Sequence, residues 1–145
     1  MTKSAYSSPD DAERAFYRAF ATVDLAAMAA VWLHAEQARC VHPGGDLLQG
    51  YAAVMRSWGS IFGHADRPRV QYQVVDRLGA DGLSIHIVEE HIGPAGADTD
   101  LTRVLATNTY LRTEHGWQMV MHHATLPLIE SPPGQGPGDV PKQLH

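Results

Sequence analysis

The spacing of apolar residues changes near residue 69, and this change limits the possible folds more than any other feature of the sequence. Before it, apolar side chains recur three and four residues apart, which is typical of amphipathic helices. After it, strand-like stretches are separated by short turns that contain glycine. Helices followed by an antiparallel sheet predict an α+β domain whose helices pack on one face of the sheet.

Three helices are predicted in the first half of the chain. Ser8 precedes a proline and two acidic residues, a combination that favours a helix start, and we expect the first helix over 9–21. Asp24 can cap a second helix over 25–33, where apolar residues recur at helical spacing. Apolar residues at i, i+4, i+7 and i+8 predict the third helix over 51–62.

A short strand and four longer ones complete the predicted domain. Residues 38–42 form a strand-like run that stops at a Pro-Gly-Gly turn. The longer strands are expected over 69–78, 83–92, 100–112 and 117–126. Because the connecting loops are short, neighbouring strands should be antiparallel and form a strongly curved meander.

The chain length of 145 residues suits one domain with a single core. We assign this domain to residues 1–130. Residues 131–145 are rich in proline and glycine and are expected to form a disordered tail. The single cysteine, Cys40, has no intrachain partner, so the sequence excludes a disulfide framework.

The composition argues against membrane and nucleic-acid partners. No apolar run approaches the ~18–20 residues that a membrane span requires. The first residues contain no apolar stretch typical of a signal peptide, so we expect a cytoplasmic protein. The net charge is −5 and the arginines are scattered, which leaves no continuous positive stripe for a phosphate backbone.

Several segments, taken in order and spacing, resemble one known family. They are Phe16-Tyr17, Val23-Asp24-Leu25, 40–45, 50–58, Ala106-Thr107-Asn108 and 117–125. Over about residues 10–127 they resemble SnoaL-like proteins of the nuclear transport factor 2-like superfamily. The resemblance implies a cone-shaped α+β domain that encloses one pocket and pairs as a homodimer through the outer face of its sheet. Relatives include ketosteroid isomerases, polyketide cyclases and ligand-binding or assembly domains, so it implies no single activity.

A comparison with the ketosteroid isomerase pattern shows changed chemistry at matching positions. That pattern needs a carboxylate base, and an oxyanion hole made by a tyrosine and a protonated aspartate. The resemblance puts His42, Phe16 and Asn108 at these three positions, and puts Trp32 and Trp58 at two aromatic positions behind the pocket. It therefore implies a different substrate or no reaction.

Strand alternation predicts which side chains share a face, since residues i and i+2 point the same way. Together with the resemblance, it places Met121 and His123 of the last strand toward the pocket. His122 is then expected on the opposite face, as a structural or interface group. Asn108 and Tyr110 share a face of the preceding strand, and Asn108 is either a satisfied buried amide or a donor to a substrate carbonyl.

An imidazole and a carboxylate give the sharpest catalytic hypothesis. His42 stands before a rigid turn, where it could act as a general base or merely plug the narrow end of the cone. Glu89 and Glu90 are consecutive in an apolar strand, and alternation favours Glu89 as the inward group. Inside a dry pocket Glu89 would need a partner such as His42 or His123, although both acids could instead face solvent.

Two functional alternatives follow from these residues. One is an enzyme of the isomerase, cyclase or hydratase type that acts on a small, partly apolar carbonyl compound without a bound cofactor. The other is a ligand-binding or accessory module. The predicted catalytic residues are His42, Glu89, His123 and Asn108. The predicted ligand-binding residues are Phe16, Tyr17, Trp32, Trp58, Met121 and Tyr110. No metal is expected, because no short His-x-His or His-Glu-x-x-His spacing occurs.

Overall fold

A computed structural model describes residues 6–64 and 66–128. The helices are α1 (Pro9–Thr22), α2 (Leu25–Val31) and α3 (Tyr51–Gly63). The strands are β1 (Arg39–Val41), β2 (Leu48–Gln49), β3 (Arg69–Ala80), β4 (Leu83–Gly93), β5 (Thr102–Thr113) and β6 (Gly116–Thr125). The three predicted helices and five predicted strands occur in the predicted order, with β2 as an additional strand, and the predicted tail at 131–145 lies outside the described residues.

Side-chain caps start the first two helices as the sequence predicts. The Ser8 hydroxyl accepts a hydrogen bond from the Asp11 N–H at 3.0 Å, and the Asp24 carboxylate accepts one from the Ala27 N–H at 3.0 Å. Helix α1 ends where Val23 adopts a left-handed conformation. Helix α2 is shorter than predicted, because Trp32 turns to an extended conformation and bridges to Met119 of β6.

The six strands form one open, curved, mixed sheet in the order β2-β1-β6-β5-β4-β3. Strands β3 to β6 make the predicted antiparallel meander, whereas β1 lies parallel to β6 and extends the sheet to β2, which was not predicted. The helices cover one face of the sheet, here called the inner face, and α1 contacts β3, β5 and β6. The opposite face is called the outer face. Among the described residues, no helix is both long and apolar enough to cross a membrane.

The main core lies between the helices and the inner face. Its largest apolar members are Phe16, Met28, Trp32, Trp58 and Met119, each at most 1% exposed. The rings of Phe16 and Trp58 meet edge to face with centroids 5.6 Å apart. Burial of each such side chain contributes about 1.5–3 kcal/mol, so this cluster fixes α1 and α3 over the sheet.

A bulge in β6 reverses the predicted orientation of its second half. Thr109 of β5 pairs with Met121, but the next residue of β5 pairs with Met119, so Val120 is an extra residue in β6. Met119 is therefore buried on the inner face, and so are His122 and Ala124 beyond the bulge. The prediction that Met121 and His123 face inward was wrong, because uninterrupted alternation does not hold across a bulge.

Candidate functional site

A cavity of about 280 Å³ lies between the inner face of β4–β6 and helices α1 and α3. Its wall is mainly apolar. The lining residues are Phe20, His42, Pro43, Trp58, Ile61, Glu90, Ile92, Thr102, Val104, His122, Ala124 and Leu126. This lining contains no lysine or arginine within the described part of the chain. The titratable groups that face the cavity are thus one carboxyl and two imidazoles.

Glu90 is the carboxyl group of this cavity. Its side chain projects from β4 and is 1% exposed. The Tyr17 hydroxyl, held protonated because burial raises its pKa, donates a hydrogen bond to Glu90 Oε2 at 2.5 Å. Burial raises the pKa of Glu90 to about 7, and the nearby charge of Glu13 adds to the rise, while the hydrogen bond from Tyr17 opposes it. Near neutral pH this carboxyl therefore exists in both protonation states.

A second buried carboxylate, Glu13, gathers donors from three strand positions. It lies on the inner side of α1 and is 2% exposed. Its Oε2 accepts hydrogen bonds from the Tyr110 hydroxyl at 2.9 Å and from Asn108 Nδ2 at 3.3 Å. Its Oε1 lies 2.9 Å from Nδ1 of His86, a residue that is fully buried. These bonds tie α1 to β4 and β5 directly behind the cavity wall.

Asn108 links Glu13 to His122 through hydrogen bonds. Its Nδ2 donates to Glu13 and, at 2.9 Å, to the Tyr17 hydroxyl. Since a carboxylate can only accept, this contact fixes which end of the amide is Nδ2. The other end, Oδ1, lies 2.6 Å from His122 Nδ1, so Nδ1 must carry the imidazole proton.

His122 is neutral and keeps its second nitrogen as a hydrogen-bond acceptor. Burial lowers its pKa to about 3, and positive charge on His42 or His123 would lower it further. With the proton on Nδ1, Nε2 carries a lone pair, and it makes no hydrogen bond to any residue in the described ranges. Because Asn108 engages the Nδ1 side, Nε2 is the polar atom that His122 can offer to the cavity.

His42 is the second imidazole of the cavity. Its Nε2 lies 2.9 Å from the Ser57 hydroxyl, which itself donates to the Val54 carbonyl at 2.6 Å. The serine proton is therefore used, and His42 Nε2 must donate to Ser57. Burial lowers the pKa of His42, so this ring is also neutral near pH 7. Cys40 lies beside it, 3.6 Å from the same nitrogen, and burial raises the pKa of this thiol to about 12.

Comparison with known proteins assigns the chain to a family. A family model described as a SnoaL-like domain matches residues 10–129. The chain belongs to the SnoaL-like family. Its fold is that of the nuclear transport factor 2-like superfamily.

Two solved structures illustrate the similarity. A protein from Thiobacillus denitrificans, named for a proposed calcium/calmodulin-dependent protein kinase type II association domain, is 39% identical, with a TM-score of 0.81 over 86% of this chain and 99% of that one. A proposed dehydratase of the nuclear transport factor 2-like family from Streptomyces avermitilis is 28% identical, with a TM-score of 0.72 over 81% of this chain and 93% of that one.

A curated relative is the F-box protein SKIP8 of Arabidopsis thaliana. It is 27% identical over 106 residues, which is 73% of this chain and 44% of that protein. The SnoaL-like chain thus spans less than half the length of this relative. A ketosteroid isomerase-like protein from Erwinia carotovora atroseptica is 13% identical, with a TM-score of 0.65 over 80% of this chain and 91% of that one, and shows the fold alone.

The structure corrects the choice between the two consecutive glutamates. In β4 of this SnoaL-like chain the even-numbered residues face inward, so His86, Val88 and Glu90 are buried. Glu89 lies on the outer face, where it pairs with Arg103. The expectation that Glu89 faces inward was wrong, and the postulated contacts of Glu89 with His42 or His123 are not formed. The physical reason is that the outward residues of β4 are also apolar, so hydrophobicity did not distinguish the two faces.

The other predicted catalytic residues divide into two groups. His42 lines the cavity, and Asn108 lies behind the wall in the hydrogen-bond network. His123 is exposed on the outer face, opposite Thr107 of β5. Its neighbour His122 takes the inward position that was predicted for His123. The structure thus brings His42 together with Glu90 and His122, and leaves Glu89 and His123 outside.

Of the predicted ligand-binding residues, only Trp58 lines the cavity. Phe16 is buried with its ring centroid 4.9 Å from that of His122, and Trp32 is buried in the core. Tyr17 and Tyr110 hold the two buried carboxylates. Unlike the other five residues, Met121 lies on the outer face.

Sequence reasoning missed Glu13 and His86 altogether. A signal for Glu13 was present, because it precedes Phe16 and Tyr17 by three and four residues and so shares their inward helical stripe. Asp10, Glu13 and His86 also place possible metal-ligating atoms within 4.8 Å of one another. Both oxygens of Glu13 already accept protein hydrogen bonds, and Asp10 is paired with Arg77, so these carboxylates are occupied by protein donors.

Proposed function

We propose that this protein catalyses proton transfer on a small, uncharged, mainly apolar carbonyl compound without a bound cofactor. Glu90 is the acid–base group. The observation that carries the proposal is a carboxyl group, 1% exposed in the wall of an apolar cavity, whose pKa is raised to about 7. A group with a pKa near the working pH transfers protons in both directions most effectively.

The chemistry needs one proton carrier. Ionised Glu90 would take a proton from the carbon next to the substrate carbonyl, so that the C–H electron pair forms an enolate. The protonated carboxyl would return that proton to another carbon, which completes an isomerisation. Alternatively, it would protonate a departing hydroxyl, so that water leaves and a C=C bond forms. Tyr17 would hold the carboxylate in place through its 2.5 Å hydrogen bond.

The size and polarity of the cavity support a small, uncharged ligand. A volume of about 280 Å³ is at the lower end for ligand pockets. In the described residues its lining has no lysine or arginine to neutralise an anionic ligand, and Glu90 would repel one. The names of two similar structures, one a proposed dehydratase and one ketosteroid isomerase-like, are consistent with this reaction class.

Hydrogen exchange at carbon tests the proposal whatever the final product is. A panel of small cyclic ketones is incubated with the protein in D2O, and loss of the proton next to the carbonyl is followed by NMR. Glu90→Gln should slow this exchange by about 10²–10⁴-fold. Glu89→Gln is the matched control on the outer face and should leave the rate within about twofold. The wild-type rate should follow an apparent pKa of about 7.

The alternative function is a non-catalytic binding module. The observation that favours it is that both imidazoles of the cavity are neutral hydrogen-bonding groups, and a 39% identical protein is named for an association domain. Ketones that shift the NMR signals of cavity residues but exchange no faster than in buffer would support this module and contradict the catalytic proposal.

We further propose that two copies of the chain pair through the outer faces of their sheets. The helices cover the inner face only, and half-buried apolar side chains remain on the outer face. They are Leu83, Ile85, Ile87, Leu105, Leu111 and Met121. Light scattering should show a dimer for the wild type and for Gln73→Glu at the rim of this face, but a monomer for Ile87→Glu. A monomeric wild type would refute the pairing.

A further inference from the structure

We infer that the ligand carries a hydroxyl group that donates a hydrogen bond to His122 Nε2. The protein would then select uncharged hydroxy compounds, which narrows the substrate class proposed above and relies on that proposal only for the cavity as the ligand site. The inference comes from the fixed tautomer of His122 and from the surroundings of its second nitrogen.

Hydrogen bonds of Asn108, which lies behind the cavity wall, fix the tautomer of His122. The Glu13 carboxylate accepts from Asn108 Nδ2, and so does the Tyr17 hydroxyl, whose own proton is given to Glu90. Asn108 therefore cannot turn its amide without bringing its oxygen against the carboxylate of Glu13. Its Oδ1 remains beside His122 Nδ1 at 2.6 Å, so the proton stays on Nδ1.

His122 Nε2 lacks a hydrogen-bond partner in the described part of the chain. His122 is 2% exposed, and its ring faces the aromatic rings of Phe16 and Trp58 at centroid distances of 4.9 Å and 6.1 Å. Within the described residues no side chain or backbone group donates to Nε2. Nε2 is not one of the enclosed, unpartnered polar atoms of the described residues, so it is open to the cavity. A ligand that covers it without supplying a donor loses about 1–3 kcal/mol, so a ligand that supplies one binds more tightly.

The chemistry of the cavity limits the type of group that can donate to Nε2. Protonation of His122 itself is not available near neutral pH, because burial holds its pKa near 3. A carboxylic acid would ionise and meet Glu90 in a cavity whose described lining has no lysine or arginine. A cation would have to leave water for a mainly apolar wall, which is costly. An alcohol or enol hydroxyl donates without carrying charge, and it therefore fits this cavity.

Two isomers, cyclohexanol and methoxycyclopentane, test the donor at constant atomic composition. Both contain the same atoms and both accept hydrogen bonds, but only the alcohol donates one. We expect the alcohol to bind about five- to tenfold more tightly to the wild-type protein in NMR titrations. The preference should disappear in His122→Phe and persist in His123→Phe, the neighbouring histidine of the outer face.

A second measurement needs no variant. The ¹⁵N spectrum of the wild-type imidazoles should show His122 protonated at Nδ1 alone, with the Nε2 signal moving when cyclohexanol is added. Equal binding of the two isomers, binding of neither, or a proton on Nε2 would overturn the inference. Absence of carbon-bound hydrogen exchange would refute catalysis and leave the alcohol preference standing, so the two failures are distinguishable.

Discussion

Replacement of Glu90 by glutamine tests the buried carboxyl through the stability of the protein. In the folded protein the pKa of Glu90 is about 7, whereas an unperturbed glutamate has a pKa of 4.5. Between these values the folded state retains a proton that the unfolded chain has released. The free energy of unfolding must therefore fall as the pH rises from about 4.5 to about 7, and it becomes constant with respect to this group above that range.

The magnitude follows from the difference between the two pKa values. It corresponds to about 3 kcal/mol of stability that is present in acid and lost above pH 7. Glutamine cannot ionise, yet its carbonyl oxygen can still accept the hydrogen bond from Tyr17. Glu90→Gln should therefore match the wild type near pH 4 and exceed its free energy of unfolding by about 3 kcal/mol at pH 8.

Urea unfolding at pH 4 and pH 8 measures this difference directly, with fluorescence and circular dichroism as independent probes. The control is Glu89→Gln, which weakens the partly exposed contacts of Glu89 with Arg103 and His91 and should cost at most about 1 kcal/mol. If Glu90→Gln is no more stable than the wild type at pH 8, the carboxyl is not held in a dry site. A gain that is equal at both pH values would also contradict the titration argument.

Three further perturbations probe the network and the backbone. Glu13→Ala removes the acceptor of three buried donors and should lower the free energy of unfolding by about 3–5 kcal/mol in urea melts. Tyr17→Phe removes a hydrogen bond that lowers the pKa of Glu90, so ¹³C titration of that carboxyl should show a pKa above about 7. Gly50→Ala should cost about 1–3 kcal/mol in thermal unfolding, because Gly50 has a φ of +94° and a Cβ would lie 2.9 Å from Glu36 Oε1.

The architecture could be predicted from the sequence because helices and strands have different periodic patterns of apolar residues. The caps at Ser8 and Asp24 and the turns between the long strands all specify local structure, and local structure is what neighbouring residues determine. Strand β2 escaped prediction because it has only two residues, Leu48 and Gln49. Its pairing with β1 depends on the tertiary fold rather than on a pattern of its own.

The candidate site could be predicted only in part, because it depends on which face of each strand the helices cover. Both faces of β4 carry apolar residues, so alternation alone could not choose between Glu89 and Glu90. No sequence pattern predicted the bulge at Val120. Because of the bulge, His122 faces inward and His123 outward, which is the reverse of the prediction. Glu13 was overlooked because an acidic residue near a helix start is usually solvated, although its spacing to Phe16 marked it as inward.

The extra residue at Val120 also matters for anyone who aligns this sequence with others. Two adjacent histidines follow it, and one faces the cavity while the other faces away from it. A homologue that kept the same number of residues but paired them regularly, without the bulge, would turn the second histidine inward. Alignment by residue identity would then match imidazoles that occupy opposite sides of the sheet. The presence of the bulge, rather than the presence of a histidine, decides whether two such proteins share a site.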